Sequence, residues 1–328
     1  MAISRRGFLK GGLTAAGTLA VKAAPLPASV KGLGPGELAT LLDLEKCIGC
    51  EACVEACAEV NGHKFPNPKK PFPEMAPVKR VKVADWSDKQ DVNWRLTPYN
   101  WLTIQHAQGE YNGKPYYLTI PRRCMHCTNP PCADMCPFGA ARKLGNGITR
   151  IHSELCLGGA KCKAVCPWHI PERQTGVGLY LKLLPSYAGN GVMYKCDCCY
   201  DRVAQGKLPA CIEVCPVQLQ TIGPREKIKK QAYALAKERG GFVYGDKENG
   251  GTNTFYVSPV PFEVLNKDIE KGPGKPHFGP VKNAMQRAEN LGKAMIIAPL
   301  AGAAAAALRF GRFFAGNGDG HKRGEEQS

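Results

Sequence analysis

The chain has 328 residues with 16 cysteines, 44 Lys or Arg and 28 Asp or Glu, which gives a formal net charge of +16. Disulfide frameworks rich in cysteine are usually short, whereas a chain of this length forms a core of its own, so a disulfide scaffold does not explain the cysteines. No stripe of basic and aromatic residues accompanies the positive charge, which argues against a nucleic-acid partner.

The first 24 residues have the layout of a twin-arginine export signal. Arg5 and Arg6 precede Gly7, Phe8 and Leu9, and a mildly apolar stretch follows to residue 24, interrupted by Lys22. This layout predicts that residues 1–24 direct export of a folded protein, with cleavage left open. The alternative is a basic tail in front of a helix.

The cysteines fall into four groups along the chain. Three of the groups end in Cys-x-x-x-Cys-Pro, the run by which bacterial ferredoxins hold iron-sulfur clusters. The groups are Cys47, Cys50, Cys53 and Cys57; Cys124, Cys127, Cys132 and Cys136; Cys156, Cys162 and Cys166; and Cys196, Cys199, Cys211 and Cys215.

In such a run the first three thiolates bind one cluster and the fourth binds the other cluster of a pair, so groups come in pairs. The two inner groups begin 32 residues apart and the two outer groups 149 residues apart, which predicts one ferredoxin nested inside another. The predicted sites are site 1 (Cys47, Cys50, Cys53, Cys215), site 2 (Cys57, Cys196, Cys199, Cys211), site 3 (Cys124, Cys127, Cys132, Cys166) and site 4 (Cys136, Cys156, Cys162).

Site 4 is one thiolate short, because Gly159 stands where the pattern has the second cysteine of the third group. We expect three [4Fe-4S] clusters at sites 1 to 3 and a [3Fe-4S] cluster at site 4. The alternative is a fourth [4Fe-4S] cluster completed by solvent or an oxygen ligand. Cys198 is out of register with the Cys-x-x-Cys pair around it, and we expect a small buried side chain there rather than a ligand.

Other cysteine chemistries fit less well. Structural zinc uses pairs of Cys-x-x-Cys knuckles, whereas three or four thiolates per run suit a cluster. A zinc-stabilised exported binding module stays the alternative from a different functional class, and visible absorption would distinguish it. Cys-x-x-Cys-His is absent, which argues against covalent haem. No nucleophile, base or phosphate-loop motif stands out, so we predict that the chain is not itself an enzyme.

The remaining scaffold is predicted around the cysteine groups. Residues 40–271 form the four-cluster domain: an insertion (58–123), an inner ferredoxin (124–170) and an outer ferredoxin (47–57 with 196–223). Within the insertion, residues 78–83 alternate, and residues 101–105 and 116–120 flank Asn112-Gly113 as a hairpin. Pro224 and Gly240 bound a predicted helix.

The C-terminal part predicts an extended tether (272–290), a membrane anchor (291–314) and a polar tail (315–328). Residues 294–308 carry no charge, and flanking Lys293 and Arg309 can extend the span by snorkelling toward the interfaces. The alternative is a helix docked on a partner protein. Combined with the export signal, the anchor places the folded domain on the periplasmic face of the cytoplasmic membrane.

The basic charge suits cluster binding. Removing the four basic residues of the segment 1–24 from +16 leaves +12. Since each thiolate-ligated cluster carries about two negative charges, four clusters would bring the protein to about +4. We interpret the excess as compensation for cluster charge.

Several segments resemble one family. Residues 195–202 (KCDCCYDR), 208–216 (LPACIEVCP), 244–252 (YGDKENGGT) and 260–263 (VPFE) resemble the HybA-type four-cluster subunit of membrane-bound nickel-iron hydrogenase. Similar iron-sulfur subunits serve molybdopterin oxidoreductases and multihaem transmembrane redox complexes. The resemblance covers nearly the whole chain. Gly159 departs from it, because hydrogenase relatives have cysteine there and nitrate-reductase-like relatives have tryptophan beside a [3Fe-4S] cluster.

The resemblance implies an α+β fold of two nested bacterial-ferredoxin-like modules and a C-terminal transmembrane helix. It implies that a catalytic subunit, such as a hydrogenase small and large pair, passes electrons into sites 1 and 2. Sites 3 and 4 would then deliver them to an integral membrane subunit that interacts with quinone. Site 4 would be the quinone end, where a [3Fe-4S] cluster suits a high potential.

Three further residues are candidates near the clusters. His126, between Cys124 and Cys127, is a candidate hydrogen-bond donor to cluster sulfur, with simple packing as the alternative. Trp168, directly after Cys166 and Pro167, is predicted to exclude solvent from a cluster, with a relay for electrons as the alternative. Lys195, beside Cys196, would favour a reduced cluster electrostatically, with a solvated lysine as the alternative.

Overall fold

The computed structural model describes residues 36–74, 83–183, 185–186 and 191–288. Its strands are β1 Leu38–Asp43, β2 Thr103–Tyr111, β3 Lys114–Arg122, β4 Ala141–Lys143, β5 Thr149–Ile151, β6 Glu172–Gln174, β7 Val192–Tyr194, β8 Gln220–Pro224, β9 Phe242–Tyr244 and β10 Thr254–Ser258. Its α-helices are α1 Ala52–Asn61, α2 Pro131–Asp134, α3 Lys161–Val165, α4 Tyr180–Leu183, α5 Tyr200–Ala204, α6 Ala210–Glu213, α7 Arg225–Arg239 and α8 Phe262–Asp268. These elements form the mixed helix and strand fold expected.

A four-stranded sheet with the order β8-β1-β10-β9 supports one side of the domain. Strand β1 pairs parallel with β10 and antiparallel with β8, and it is buried along its whole length. Helix α7 covers one face of the sheet, placing Ile228, Ala232 and Ala236 on Phe255 and its neighbours. The other face adjoins the core that contains most of the cysteines.

The boundaries of α7 agree with the sequence prediction. Pro224 precedes its first turn, where the missing N–H costs nothing, and Gly240 follows with φ 64°.

The hairpin predicted around Asn112-Gly113 is present and longer than expected. Strands β2 and β3 pair antiparallel from Thr103 opposite Arg122 to Tyr111 opposite Lys114. Asn112 and Gly113 both have positive φ, 51° and 70°, as a two-residue turn with the twist of the strands requires. Residues 75–82, which include most of the alternating segment 78–83, lie outside the described residues.

Two helix pairs join the cysteine groups. Helix α1, which carries Cys53 and Cys57, packs against α6, which carries Cys211. Helix α2, which carries Cys132, packs against α3, which carries Cys162. The first and last groups therefore meet across the domain, while the two middle groups meet each other.

Part of the segment predicted as a tether belongs to the core. Phe278 is 1% exposed, and its ring centroid lies 4.9 Å from that of Phe262 and 5.0 Å from that of Tyr244. The Arg122 guanidinium lies 3.7 Å from the centroid of the Phe278 ring, within cation–π range. The chain around Phe278 thus closes the domain before any anchor begins, because burying an aromatic side chain is strongly favourable.

In the part of the chain that the structure describes, no helix is long and apolar enough to cross a membrane. The predicted export signal (1–24) and anchor (291–314) both lie outside those residues.

We expect Phe278→Ala to destabilise the domain by about 3–5 kcal/mol, because it leaves a cavity among packed aromatic rings. The apparent melting temperature of the protein should fall accordingly. Phe138→Ala is the matched control, since Phe138 is 54% exposed and its loss should change stability little. Equal melting temperatures for the two variants would show that the segment around Phe278 is a free tether.

Candidate metal centres

The cysteines lie inside the domain rather than on its surface. Nine of them belong to the main hydrophobic core, where they pack with Trp101, Trp168 and Tyr256. Cys50 is the one exposed cysteine among the sixteen. Burial disfavours the thiolate form of a cysteine unless a positive charge compensates it, so each site depends on the charges around its thiols.

Site 1 brings together cysteines from both ends of the domain. Burial raises the pKa of the Cys53 thiol to about 12, with further contributions from Cys47, Cys215 and Cys50. Burial also raises the pKa of Cys47, and Cys215 and Cys50 add to the shift. These four residues are the predicted ligand set.

Site 2 is formed around helix α1. Burial raises the pKa of the Cys57 thiol, and the charges of Cys196, Cys211 and Cys199 raise it further. Asn61, one turn after Cys57, donates from Nδ2 to the Sγ of Cys199 at 3.5 Å and to that of Cys57 at 3.7 Å. Asn61 was not selected from the sequence, although its i+4 spacing from Cys57 places both residues on one helix face.

Site 3 is a cavity of about 350 Å³, including open solvent, lined by the four predicted ligands Cys124, Cys127, Cys132 and Cys166. Trp168 and Lys195 also line this cavity. Trp168 is 1% exposed, and its Nε1 donates a hydrogen bond to the Tyr244 hydroxyl at 2.9 Å. This fixed indole occupies the position expected of a side chain that excludes solvent from a cluster.

Site 4 brings Cys136, Cys156 and Cys162 together. Burial raises the pKa of the Cys162 thiol, and Cys132, Cys156, Cys166 and Cys136 contribute in that order. The Sγ of Cys156 accepts hydrogen bonds from the backbone N–H of Met193 at 3.4 Å and of Gly158 at 3.5 Å.

Gly159 leaves a gap on the exposed side of site 4. A Cβ atom added at Gly159 would meet no atom within 4 Å, so a side chain is sterically possible there. Gly158 differs, because its added Cβ would lie 2.5 Å from the Gly191 carbonyl oxygen. Position 159 therefore has room for a side chain but supplies no thiolate.

The same backbone turn begins all four groups. The residue two positions after each first cysteine has positive φ: Gly49 (72°), His126 (46°), Gly158 (69°) and Cys198 (55°). In each case its N–H donates to the sulfur of that first cysteine, as in the 3.3 Å bond from Cys198 to Cys196. Cys198 thus contributes a backbone donor, while its side chain packs with Leu38 and Val203.

The sites form a linear series. Cys53 of site 1 acts electrostatically on Cys211 of site 2. Cys124 of site 3 acts on Cys196 of site 2. Cys132 of site 3 acts on Cys162 of site 4. These pairs of electrostatic neighbours place the sites in the order site 1, site 2, site 3, site 4.

Three basic side chains lie between sites 2 and 3. Lys195 and His126, both selected from the sequence, are 5% and 3% exposed. Arg123 is 1% exposed and was missed, although it directly precedes Cys124 as Lys195 directly precedes Cys196. Burial lowers the pKa of His126 well below its usual value, and the charges of Lys195 and Arg123 lower it further, so this imidazole is neutral.

The grouping of three or four thiols at each site suits iron-sulfur clusters. Among the described residues, no group of three or more His, Cys, Asp or Glu side chains is arranged to hold one metal ion.

Family comparisons agree with this interpretation. Two models of the 4Fe-4S dicluster domain match the chain, one over residues 46–140 and the other over residues 115–225. The two matches overlap: the first contains the first two cysteine groups and the second contains the last three. The packing of α1 on α6 instead joins the first group to the last, a nesting that a continuous match does not represent.

Several curated relatives are similar over most of the chain. The hydrogenase-2 operon protein HybA of Escherichia coli O157:H7 is 29% identical, covering 80% of this chain and 83% of HybA. The iron-sulfur subunit of the nitrate-inducible formate dehydrogenase of Escherichia coli K12 is 32% identical, covering 71% and 73%. The formate dehydrogenase iron-sulfur subunit of Haemophilus influenzae is 31% identical, covering 71% and 69%.

These relatives confirm the resemblance inferred from the motifs. The chain belongs to the superfamily of 4Fe-4S iron-sulfur subunits that includes HybA and the iron-sulfur subunits of formate dehydrogenases.

Proposed function

We propose that this chain is an exported, membrane-anchored electron-transfer subunit. It would carry electrons from a catalytic redox subunit, of the hydrogenase type, to an integral membrane subunit that interacts with quinone. The observation that carries this proposal is the succession of four neighbouring thiol sets, joined by the packing of α1 on α6 and of α2 on α3 and by His126, which contacts the sulfurs of Cys196 and Cys124. A series of redox centres connects two partners, whereas a single catalytic centre has no need of it.

The residues present fit the clusters that the family implies. Sites 1, 2 and 3 each offer four thiolates, which suits a [4Fe-4S] cluster, and site 4 offers three, which suits a [3Fe-4S] cluster. When bound, each cluster supplies reversible one-electron chemistry. The protein binds iron through cysteine, excludes water with residues such as Trp168, and donates N–H groups to sulfur, all of which tune potential.

Both ends of the series reach the surface. At site 1, Cys50 is exposed, and its neighbours in the motifs, Ile48 and Val214, are 64% and 41% exposed. At site 4, Gly159 is exposed, as is Met135 beside Cys136. Since electrons enter and leave only where a partner can approach, we assign site 1 to the catalytic partner and site 4 to the membrane partner.

A molybdopterin enzyme is the second candidate for the catalytic partner. The formate dehydrogenase iron-sulfur subunits are similar to this chain at up to 32% identity. Copurification of the native complex, followed by nickel and molybdenum analysis, separates the two candidates.

We also propose that the chain is exported by the twin-arginine route and anchored by residues 291–314. Arg5 and Arg6 support export, and the charge-free residues 294–308 support the anchor. The folded domain would then lie on the periplasmic face of the membrane.

Deletion of this chain tests the proposed function. The catalytic partner should still reduce a soluble dye in isolated membranes, because its own chemistry does not need this subunit. Quinone reduction by the same substrate should be lost and should return when the chain is restored. Undiminished quinone reduction without the chain would contradict the proposal.

A second prediction concerns Gly159. We expect about 15 irons per chain and the EPR signal of an oxidised [3Fe-4S] cluster. Gly159→Cys should raise iron to about 16, abolish that signal and lower the potential of site 4. Gly159→Ala, which adds a side chain without a ligand, is the matched control and should change none of these. An anaerobic wild-type sample with 16 irons and no such signal would contradict the three-iron cluster and would indicate Cys198, a side-chain oxygen or water as the fourth ligand.

A third prediction concerns localisation. The full chain should fractionate with the membrane, and removing residues 291–328 should release a brown, cluster-containing protein into the periplasm, because every predicted ligand precedes residue 216. Each failure has its own meaning. Retention of the shortened chain on membranes stripped of partner subunits would contradict the anchor, and its appearance in the cytoplasm would contradict export.

A further inference from the structure

Lys195 is a buried cation whose charge acts more strongly on Cys124 and Cys132 of site 3 than on its sequence neighbour Cys196 of site 2. It directly precedes Cys196 of site 2, yet its side chain lines the cavity of site 3 with Cys124 and Cys132. Its Nζ donates to the backbone oxygens of Thr149 and, at 3.0 Å, of Cys196. These bonds hold the ammonium at the wall of the site 3 cavity.

Arg123 shows the converse arrangement. It directly precedes Cys124 of site 3, yet its Nη2 donates to the Gln220 side-chain oxygen at 3.2 Å, and Gln220 in turn donates to the Cys211 carbonyl of site 2 at 3.2 Å. Its Nε and Nη1 are buried and have no hydrogen-bond partner within the described residues. The thiols of Cys211 and Cys196 are its principal electrostatic neighbours.

His126 lies between the two cations. Its Nδ1 accepts a hydrogen bond from the Thr149 N–H at 3.1 Å, so the neutral ring carries its proton on Nε2. That Nε2 lies 3.9 Å from the Sγ of Cys196, while the His126 backbone N–H donates to the Sγ of Cys124 at 3.5 Å. His126 therefore contacts one ligand of site 2, Cys196, and one ligand of site 3, Cys124.

We propose that Arg123 and Lys195 are a crossed pair of electrostatic residues, each tuning the cluster of the site opposite to its sequence neighbour, at the junction between the outer and inner ferredoxins. This inference rests on the proposed function, because it requires bound clusters. Two buried cations without compensating anions would strongly destabilise the fold, and the negative charge of two clusters supplies that compensation.

The crossing has a consequence for electron transfer. Reduction adds one negative charge to a cluster, and a nearby buried cation stabilises the reduced form more than it would in water. Lys195 would raise the potential of site 3, and Arg123 that of site 2. The two modules would then exchange electrons without a large energetic step at their junction.

EPR-monitored redox titration of the purified full chain tests the proposal. We expect Lys195→Gln to lower the ratio of reduced to oxidised site 3 cluster at least tenfold at a fixed potential, which equals a shift of about 59 mV. Arg123→Gln should do the same to site 2. Cys127→Ser and Cys199→Ser, each a ligand change at a single site, identify the signals of sites 3 and 2.

Two controls make the result specific. Lys46 directly precedes Cys47, as Lys195 precedes Cys196, but its side chain is 48% exposed and lies 3.8 Å from Asp43. Lys46→Gln should therefore leave every potential unchanged. Lys195→Arg keeps the charge and should keep the site 3 potential, which provides the test if Lys195→Gln fails to fold.

Each outcome has a definite meaning. Clusters present with unchanged potentials in Lys195→Gln, or a shift confined to site 2, would overturn the crossed pair and leave the proposed function standing. If Lys195→Gln does not fold, a lowered potential of the site 3 cluster in Lys195→Arg, which keeps the positive charge, would overturn the crossed pair as well. A wild-type protein that binds no iron would instead overturn the proposed function.

Discussion

The burial of cysteine thiols among apolar side chains is the constraint on which this structure depends. The thiols of Cys57, Cys127 and Cys162 all have pKa values raised well above the usual range, with burial as the largest cause in each case. Thiolates in such positions are stable only when a cation balances them, and iron provides that balance by displacing the protons. Since nine cysteines belong to the main core, we expect binding of the clusters to be coupled to completion of the core.

The same constraint explains where the basic residues lie. Arg123 and Lys195 are almost fully buried beside the thiols of sites 2 and 3. At site 4, the Nη1 of Arg173 donates to the Gly158 oxygen at 3.0 Å, and its charge acts on Cys156 and Cys162. The positive excess of the sequence is thus partly internal. It offsets the negative charge that the clusters would bring into a poorly solvated interior.

The sequence predicts those features whose chemistry is local. Spacing alone suggested the four thiol sets, because a cluster requires its ligands at short, fixed intervals, and the structure brings the members of each predicted set together. Asn112-Gly113 predicted a hairpin because few other residue pairs adopt two successive positive φ angles. Gly240 ended a helix for the same backbone reason.

Features that depend on distant contacts could not be predicted. The parallel pairing of Thr40 with Thr254 joins short strands that carry no distinctive pattern. The burial of Phe278 depends on Arg122 and on aromatic residues from separate elements. Arg123 follows no motif of its own, because its role depends on Gln220 and Cys211. In each case tertiary packing, rather than local preference, determines the outcome.

The central claim is that the first and last cysteine groups each supply ligands to both sites 1 and 2. Substitution of Cys57 tests this claim most directly. Serine in place of one cysteine ligand changes the EPR spectrum and potential of the cluster that it binds. We expect Cys57→Ser to alter the same cluster as Cys199→Ser, leaving unchanged the cluster that Cys50→Ser alters. If Cys57→Ser and Cys50→Ser change one and the same cluster, the nested arrangement of the two ferredoxins is wrong.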